Sequence, residues 1–507
     1  MHELYCAGHL MEAAVAYHQA TGKRKLLDCL CRYADHIDAQ FGPGPNQTPG
    51  YCGHPEIELA LVSLYRATDE LRYLDLARYF VAQRGKSPNY FAVEAGQRRD
   101  ATEHWGGPEY YQADKPLSQQ ISIEGHAVRA LYLLSGAIDV AAETGDPRLL
   151  ATCKRLFDNC VNRRMYITGA VGSARHGERF TYDYDLPNET AYAETCANIA
   201  LALTAHRMLQ VELNGRYGDV MERAIYNGVT SGVSLKGDRF FYANPLTAAH
   251  EALTTTTGTI SAKRQQWFDC ACCPPNIARL LAKVNQLIFS KSANGLIVNL
   301  YSSSKVRTQI GGVNVAAEMK TFYPWDGIIE INLVPAQTAG FSLALRIPGW
   351  CAKWSLKVNG KIVKLKSADG YVFIDRDWRK GDVVRLELDM PVRITETNLR
   401  SRNNAGKVAM ERGPIVYCAE EVDNDPDLSS YIVPPITKWS TKLEPRLLGG
   451  VVSITGKVLK EDPAGWNDQL YRSAGQSKLK TAQLKLIPYC TWSNRKVKRM
   501  QVWLRRA

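Results

Sequence analysis

Apolar positions recur with a helical period over the first 290 residues. Runs with apolar side chains three and four residues apart occupy His9–Gln19, Lys25–Ile37, Pro55–Arg66, Arg72–Gln83, Ile123–Ala142, Pro147–Asn162, Cys196–Val211, Asp219–Gly228 and Pro274–Phe289. That spacing predicts amphipathic helices. Gly22, Gly85, Gly145 and Gly215 read as C-terminal stops, and Pro55, Pro147 and the pair Pro274-Pro275 as first-turn prolines. Nine helices, several consecutive and joined by short connections, predict a helical toroid or a solenoid. No repeat of fixed period is visible, which favours the toroid.

After Ser290 the period changes to two. Gly295–Ser302, Ile328–Leu333, Phe341–Ile347, Ser355–Val358, Gly370–Ile374 and Val383–Leu388 alternate apolar and polar between Gly, Asn and Asp turns. Val358-Asn359-Gly360-Lys361 predicts a hairpin, because Asn-Gly suits a type I′ turn. Lys407–Tyr417, Leu479–Ile487 and Arg499–Leu504 predict further strands around an irregular stretch from Glu421 to Gln476. The expected fold class is α+β and multidomain: helical residues 1–289, a β-sandwich over 290–397, and a second sandwich-like unit over 398–507.

Composition narrows the class of function. The chain has 507 residues, 45% hydrophobic and 22% charged, which excludes disordered and fibrous proteins. No apolar run reaches the roughly 18 residues of a membrane helix; Ala130–Val140 is interrupted by Ser135, Gly136 and Asp139 and reads as a core helix. The net charge of +12 is scattered, with its densest block at Arg495–Arg506 and no nucleic-acid-binding signature, so a solvated basic surface is expected. The 13 cysteines are an odd number, which argues against a complete disulfide framework. Met1-His2-Glu3-Leu4 has neither the basic nor the apolar region of a signal peptide, so a cytoplasmic location is expected.

Three segments carry candidate chemistry: His176-Gly177-Glu178-Arg179-Phe180, Glu194-Thr195-Cys196 and Cys270-Ala271-Cys272-Cys273-Pro274-Pro275-Asn276. Two prolines place Cys272 and Cys273 at a helix start, where the helix dipole favours thiolates. With Glu194 and Cys196 they would make three sulfurs and one oxygen, a set that suits tetrahedral zinc. Residues two apart do not share a helix face, so Glu194–Cys196 should be a turn or frayed start, with regular helix from about Ala197. Spacing alone leaves zinc, inert buried cysteines and a redox pair all open. Glu178 lies in a Gly-flanked, aromatic-rich loop of the kind that carries functional carboxylates, although a surface pairing with Arg175 or Arg179 would explain it too.

Together these segments resemble glycoside hydrolase family 127, the β-L-arabinofuranosidases. The resemblance runs through Gly125-His126-Ala127-Val128-Arg129-Ala130, Tyr166-Ile167-Thr168-Gly169-Ala170-Val171-Gly172-Ser173, His176-Gly177-Glu178, Leu186-Pro187-Asn188 and Ala191-Tyr192-Ala193-Glu194-Thr195-Cys196-Ala197. It continues through Cys272-Cys273-Pro274-Pro275-Asn276, Arg346-Ile347-Pro348-Gly349-Trp350, Leu486-Ile487-Pro488-Tyr489 and Trp492, Asn494 and Arg495. It implies an (α/α)6-type helical barrel followed by β-sandwich domains. Six helix pairs need twelve helices where the pattern gives nine, and the family is longer ahead of His2-Glu3-Leu4-Tyr5, so the resemblance implies an N-terminally incomplete barrel.

The resemblance further implies a retaining hydrolase that releases L-arabinofuranose from an arabinofuranoside glycan or glycoconjugate. Glu194, Cys196, Cys272 and Cys273 match zinc ligands, Cys272 the nucleophile and Glu178 the general acid/base. His126, Glu222 and Tyr242 match sugar contacts, as do His54 and His2 at looser spacing. A retaining pair of this kind stands roughly 5–5.5 Å apart. The expected partner is carbohydrate, without nucleic acid or membrane, and a homodimer is a candidate assembly. The alternatives are a zinc-containing, non-catalytic glycan-binding relic, a glycosidase of other sugar specificity, and a sugar epimerase of similar helical architecture, which would need no cysteine–zinc set.

Overall fold

The helical runs fold where the apolar period places them. The computed structural model describes residues 2–98, 106–255, 258–462, 466, 469–475 and 477–507. The chain divides into two compact units, one of residues 1–165 and 171–183, the other of residues 166–170 and 184–507. The first holds α1 (Glu3–Thr21), α2 (Lys25–Gln40), α3 (Ile57–Thr68), α4 (Leu71–Gln83), α5 (Tyr90–Arg98), α6 (Gly107–Tyr110), α7 (Ala127–Thr144) and α8 (Pro147–Asn159). α1 packs on α2 and α3, α3 on α4 and α7, and α7 on α4 and α8. Every residue of α7 from Ala127 to Ala141 is buried, as expected of a helix at the centre of its unit. Asp139, a polar interruption in its sequence, pairs with Arg66 at 3.2 Å.

In the second unit, α9 (Thr195–Val211) packs against α10 (Gly215–Arg223) and α12 (Cys273–Lys283), with the short α11 (His250–Thr254) between them in sequence. A four-stranded sheet orders Tyr371–Trp378, Ala339–Arg346, Gly295–Val298 and Phe289–Ser292. A six-stranded antiparallel sheet orders Ser304–Ile310, Val313–Thr321, Ile328–Pro335, Asp382–Leu388, Trp354–Val358 and Lys361–Ile362. Leu296, Leu343, Val372 and Trp378 of the first share one core with Val315, Ile329, Leu333, Leu356 and Leu386 of the second. Two sheets closing on a common core is the sandwich arrangement. Asn359 (φ 49°) and Gly360 (φ 77°) both adopt the left-handed conformation of a type I′ turn, and Val358 pairs with Lys361 across it.

A ten-stranded sheet follows, with its core in Val408, Tyr417, Ile454 and Leu486. One edge strand, Thr247–Ala248, comes from the helical stretch and pairs with Met500–Gln501. Val392–Thr395 pairs with Lys407–Arg412, so this sheet begins before residue 398.

Several boundaries differ from expectation, each for a local reason. α5, α6 and α11 are additional short helices. The run expected from Ile123 starts as helix only at Ala127, because His126 is its N-cap. Gly215 is not a stop but the first residue of α10, capped by the Asn214 side chain on the Arg216 amide at 3.1 Å. The run expected to end at Phe289 leaves α-helix after Lys283, and Phe289 opens a strand. The stretch from Glu421 to Gln476 is not irregular throughout, since Tyr431–Val433, Trp439–Glu444 and Val451–Glu461 are strands. Arg499–Leu504 is split into Met500–Gln501 and Leu504–Arg506. None of the thirteen cysteines is in a disulfide.

Candidate active site

In the second unit, Glu194, Cys196, Cys272 and Cys273 offer ligand atoms that all lie within 4.8 Å of one another. The Cys196 Sγ is 2.8 Å from that of Cys272 and 3.6 Å from that of Cys273, and the adjacent pair are 3.9 Å apart. Oε1 of Glu194 lies 3.2 Å from the Cys272 sulfur and 3.9 Å from the Cys273 sulfur. Tetrahedral zinc with Zn–S bonds of about 2.3 Å holds sulfurs roughly 3.8 Å apart, so two of the three S···S separations already suit it and the third would have to open. Glu194, Cys196 and Cys273 are buried, whereas Cys272 is only half-buried.

Helix starts supply all four groups. Glu194 is the N-cap of α9 and Cys196 lies in its first turn; Cys272 is the N-cap of α12 and Cys273 its first residue. Helix therefore begins at Thr195, two residues before the expected Ala197. Burial and the neighbouring sulfurs push the Cys273 thiol well above its usual range. Burial also opposes ionisation of Cys196, but hydrogen bonds from Cys272, Cys273 and Asn276 leave its thiol lowered. Three thiolates and a carboxylate cannot ionise together in so small a volume without a cation. The donor set therefore fits a divalent, thiolate-seeking metal.

The start of α9 is held by buried polar residues that the sequence did not single out. Asn244 Nδ2 donates to the Ala193 carbonyl (2.9 Å) and to Thr195 Oγ1 (3.0 Å), and its Oδ1 accepts from Ser231 (2.7 Å). Asn198 Nδ2 donates to the same Ala193 carbonyl at 3.2 Å. Ala193 takes a left-handed conformation (φ 44°) that these bonds enforce. Tyr489, in the short turn after the strand Leu479–Pro488, donates to the carbonyls of Asn244 (3.2 Å) and Pro245 (3.0 Å), and Trp492 stacks on Phe241 at 4.9 Å. Tyr242 joins the same segment: its carbonyl accepts from the Thr195 amide at 2.9 Å, and its hydroxyl lies 3.8 Å from the Cys270 sulfur.

In the first unit, Glu178 and three histidines converge. His126 Nε2 is 2.9 Å from Glu178 Oε2. The His126 ring centroid is 5.7 Å from that of His54, and His54 is 5.9 Å from His2. Gly125, beside His126, must lack a side chain, since at φ +73° an added Cβ would meet the Glu109 carbonyl oxygen at 2.4 Å. Glu178 is left-handed (φ 49°) and is held there by its amide bond to the Arg175 carbonyl and by the paired backbone bonds between Ala174 and Arg179. His54 donates from Nδ1 to the Pro55 carbonyl at 2.8 Å, and burial holds its pKa well below the usual value. Burial, then the Arg129 charge, also lowers His2. Arg129 itself is buried over the rings of Tyr110 and Tyr111, at 4.6 and 4.8 Å.

Glu222 lies elsewhere. Its Oε1 accepts from Arg346 (2.5 Å) and Tyr323 (2.6 Å), and its Oε2 from the Trp350 indole (3.1 Å). Both oxygens of Glu222, expected to contact sugar, are engaged by residues of the sandwich in a buried ion-pair cluster. Arg346, Gly349 and Trp350, conspicuous as a sequence motif, act there: Arg346 also pairs with Asp219, which accepts from the Gly349 amide.

Comparison with known proteins gives the family. Residues 1–286 match the beta-L-arabinofuranosidase GH127 catalytic domain, residues 295–390 the GH127 middle domain and residues 392–505 the glycoside hydrolase family 127 C-terminal domain. The whole chain is 40% identical, over 518 aligned positions, to a non-reducing end beta-L-arabinofuranosidase of Bifidobacterium longum subsp. longum, covering 79% of that protein. It matches the crystal structure of a GH127 beta-L-arabinofuranosidase from Geobacillus stearothermophilus T6 with a TM-score of 0.97 and 47% identity, over 100% of this chain and 80% of that one. A second solved GH127 beta-arabinofuranosidase matches with a TM-score of 0.88 and 37% identity, over 100% of this chain and 77% of that one. Matched along nearly its full length by three successive domains of one family, the chain belongs to glycoside hydrolase family 127 and is a glycoside hydrolase.

Proposed function

We propose that this chain is a retaining β-L-arabinofuranosidase that uses Cys272 as nucleophile and Glu178 as acid/base, with zinc held by Glu194, Cys196, Cys272 and Cys273. The observation that carries the reading is the uneven burial of the sulfur cluster: Cys272 alone of the three is open enough for a substrate carbon to approach. Bound zinc would keep that sulfur ionised at neutral pH. In the first step the Cys272 thiolate attacks the anomeric carbon, the bond to the leaving oxygen breaks, and Glu178 gives that oxygen its proton. In the second step water attacks the same carbon, Glu178 takes its proton, and the carbon–sulfur bond breaks to restore the thiolate. Two inversions retain configuration. His2, His54 and Tyr242 are assigned to the sugar, and the three-part division at about residues 289 and 397 to the barrel and two β units.

The test is turnover of an aryl β-L-arabinofuranoside beside metal content by elemental mass spectrometry. About one zinc per chain is expected. Glu178→Gln should keep the metal and lose about 10²–10⁴-fold in kcat. Cys272→Ser should lose turnover as well, since a hydroxyl lacks the nucleophilicity of a thiolate. A fully active serine variant would exclude the thioglycoside route, and an active glutamine variant would remove Glu178 from its role.

A further inference from the structure

Both ring nitrogens of His126 already have protein partners. Nδ1 faces the backbone amides of Val128 (3.2 Å) and Arg129 (3.5 Å) at the first turn of α7, and Nε2 faces Glu178 Oε2 at 2.9 Å. Backbone amides only donate, so Nδ1 is the unprotonated nitrogen and the ring proton sits on Nε2. The Nε2–H group then donates to Oε2. The neutral form is favoured by burial first and by the Arg129 charge, against the pull of Glu178, with a net lowering of the imidazole pKa. Backbone geometry fixes both ends of the bond: His126 bridges to Arg179, next in sequence to Glu178, and Phe180 donates to the Gly125 carbonyl at 2.9 Å.

We propose that His126 is a positioning residue: held as the Nε2–H tautomer by the start of α7, it orients Glu178 and directs the transferable proton to Oε1. This rests on Glu178 being the acid/base. It goes beyond a sugar contact for His126, because it assigns the ring to a carboxylate and names the oxygen that does the proton transfer. A carboxylic acid whose proton is free to sit on either oxygen donates in the productive direction only part of the time. An N–H group aimed at Oε2 removes that ambiguity.

Two substitutions separate the two nitrogens. The amide of His126→Asn stands where Nδ1 stands and caps helices well, but it cannot reach Glu178. The amide of His126→Gln stands where Nε2 stands and can donate to Oε2, but it leaves α7 uncapped. Each is assayed on two β-L-arabinofuranosides, one with an alkyl leaving group that needs protonation and one with a dinitrophenyl group that does not.

His126→Asn should keep its melting temperature and KM. It should lose about 10–100-fold in kcat on the alkyl substrate, a part of what a positioned proton donor supplies, and little on the dinitrophenyl substrate. His126→Gln should melt lower yet recover most of the alkyl turnover. Equal losses on both substrates, or a glutamine variant no better than asparagine, would overturn the positioning role. Failure of the unsubstituted protein to release sugar from either substrate would instead overturn the functional reading beneath it.

Discussion

Glu178 and Ala193 are non-glycine residues in left-handed conformation, the first a site carboxylate and the second immediately before one. Such backbone costs roughly 1–2 kcal/mol per residue and persists where its surroundings over-determine it. The sequence marked both neighbourhoods through Glu178 and Glu194, but strain of this kind follows from tertiary hydrogen bonds and leaves no local pattern. Histidine placement was legible in the same partial way: His2, His54 and His126 were recognised by motif, while their ring-to-ring contacts join segments more than fifty residues apart. His54 carries a pH prediction. Its folded pKa is depressed by burial, so the stability it contributes is full above the unfolded value of about 6.5 and is lost as pH falls towards the folded one. The melting temperature should therefore drop more steeply between about pH 7 and pH 5 in the unsubstituted protein than in His54→Asn, whose amide can still donate to Pro55.

Helix starts are the elements that build the thiol cluster. Pro274-Pro275 announced one of them from sequence. The other was expected two residues late, because the fixed turn at Ala193 comes from Asn244, about fifty residues downstream. Asn244 is a buried group serving three partners at once, and it fixes the turn beside Glu194 and Cys196 without touching either side chain. Outer partners of that kind typically govern metal affinity by about 10–100-fold. Asn244→Ala should weaken metal retention by that order in competition with a chelator, while Glu178→Gln leaves retention unchanged.

Over the whole chain the order of helices before sheets was legible, because a change of period from 3.6 to 2 survives in any single sequence. Strands that broke the alternation were not. Val451–Glu461 is buried on both faces along most of its length, and Ser304–Ile310 turns small polar Ser304 and Thr308 to its more buried side, so neither shows a clean apolar stripe. Glu222, matched to a sugar contact by resemblance, is also the partner of Arg346, a pairing across 124 residues that no local pattern shows. Arg346 is fully buried between Asp219 and Glu222. Arg346→Met should destabilise the protein by about 3–5 kcal/mol, since it strands two carboxylates, and the loss should appear as a lower urea midpoint with zinc content intact.

The three sulfurs and the carboxylate of the cluster all belong to residues 184–507, whereas Glu178 and the three histidines all belong to residues 1–183. Inactive point mutants at these positions should accordingly sort into two phenotypes. Substitutions at Glu194, Cys196 or Cys273 would give metal-poor protein. Substitutions at Glu178 would give fully metallated protein with almost no turnover, and a screen scoring metal alone would pass every one of them.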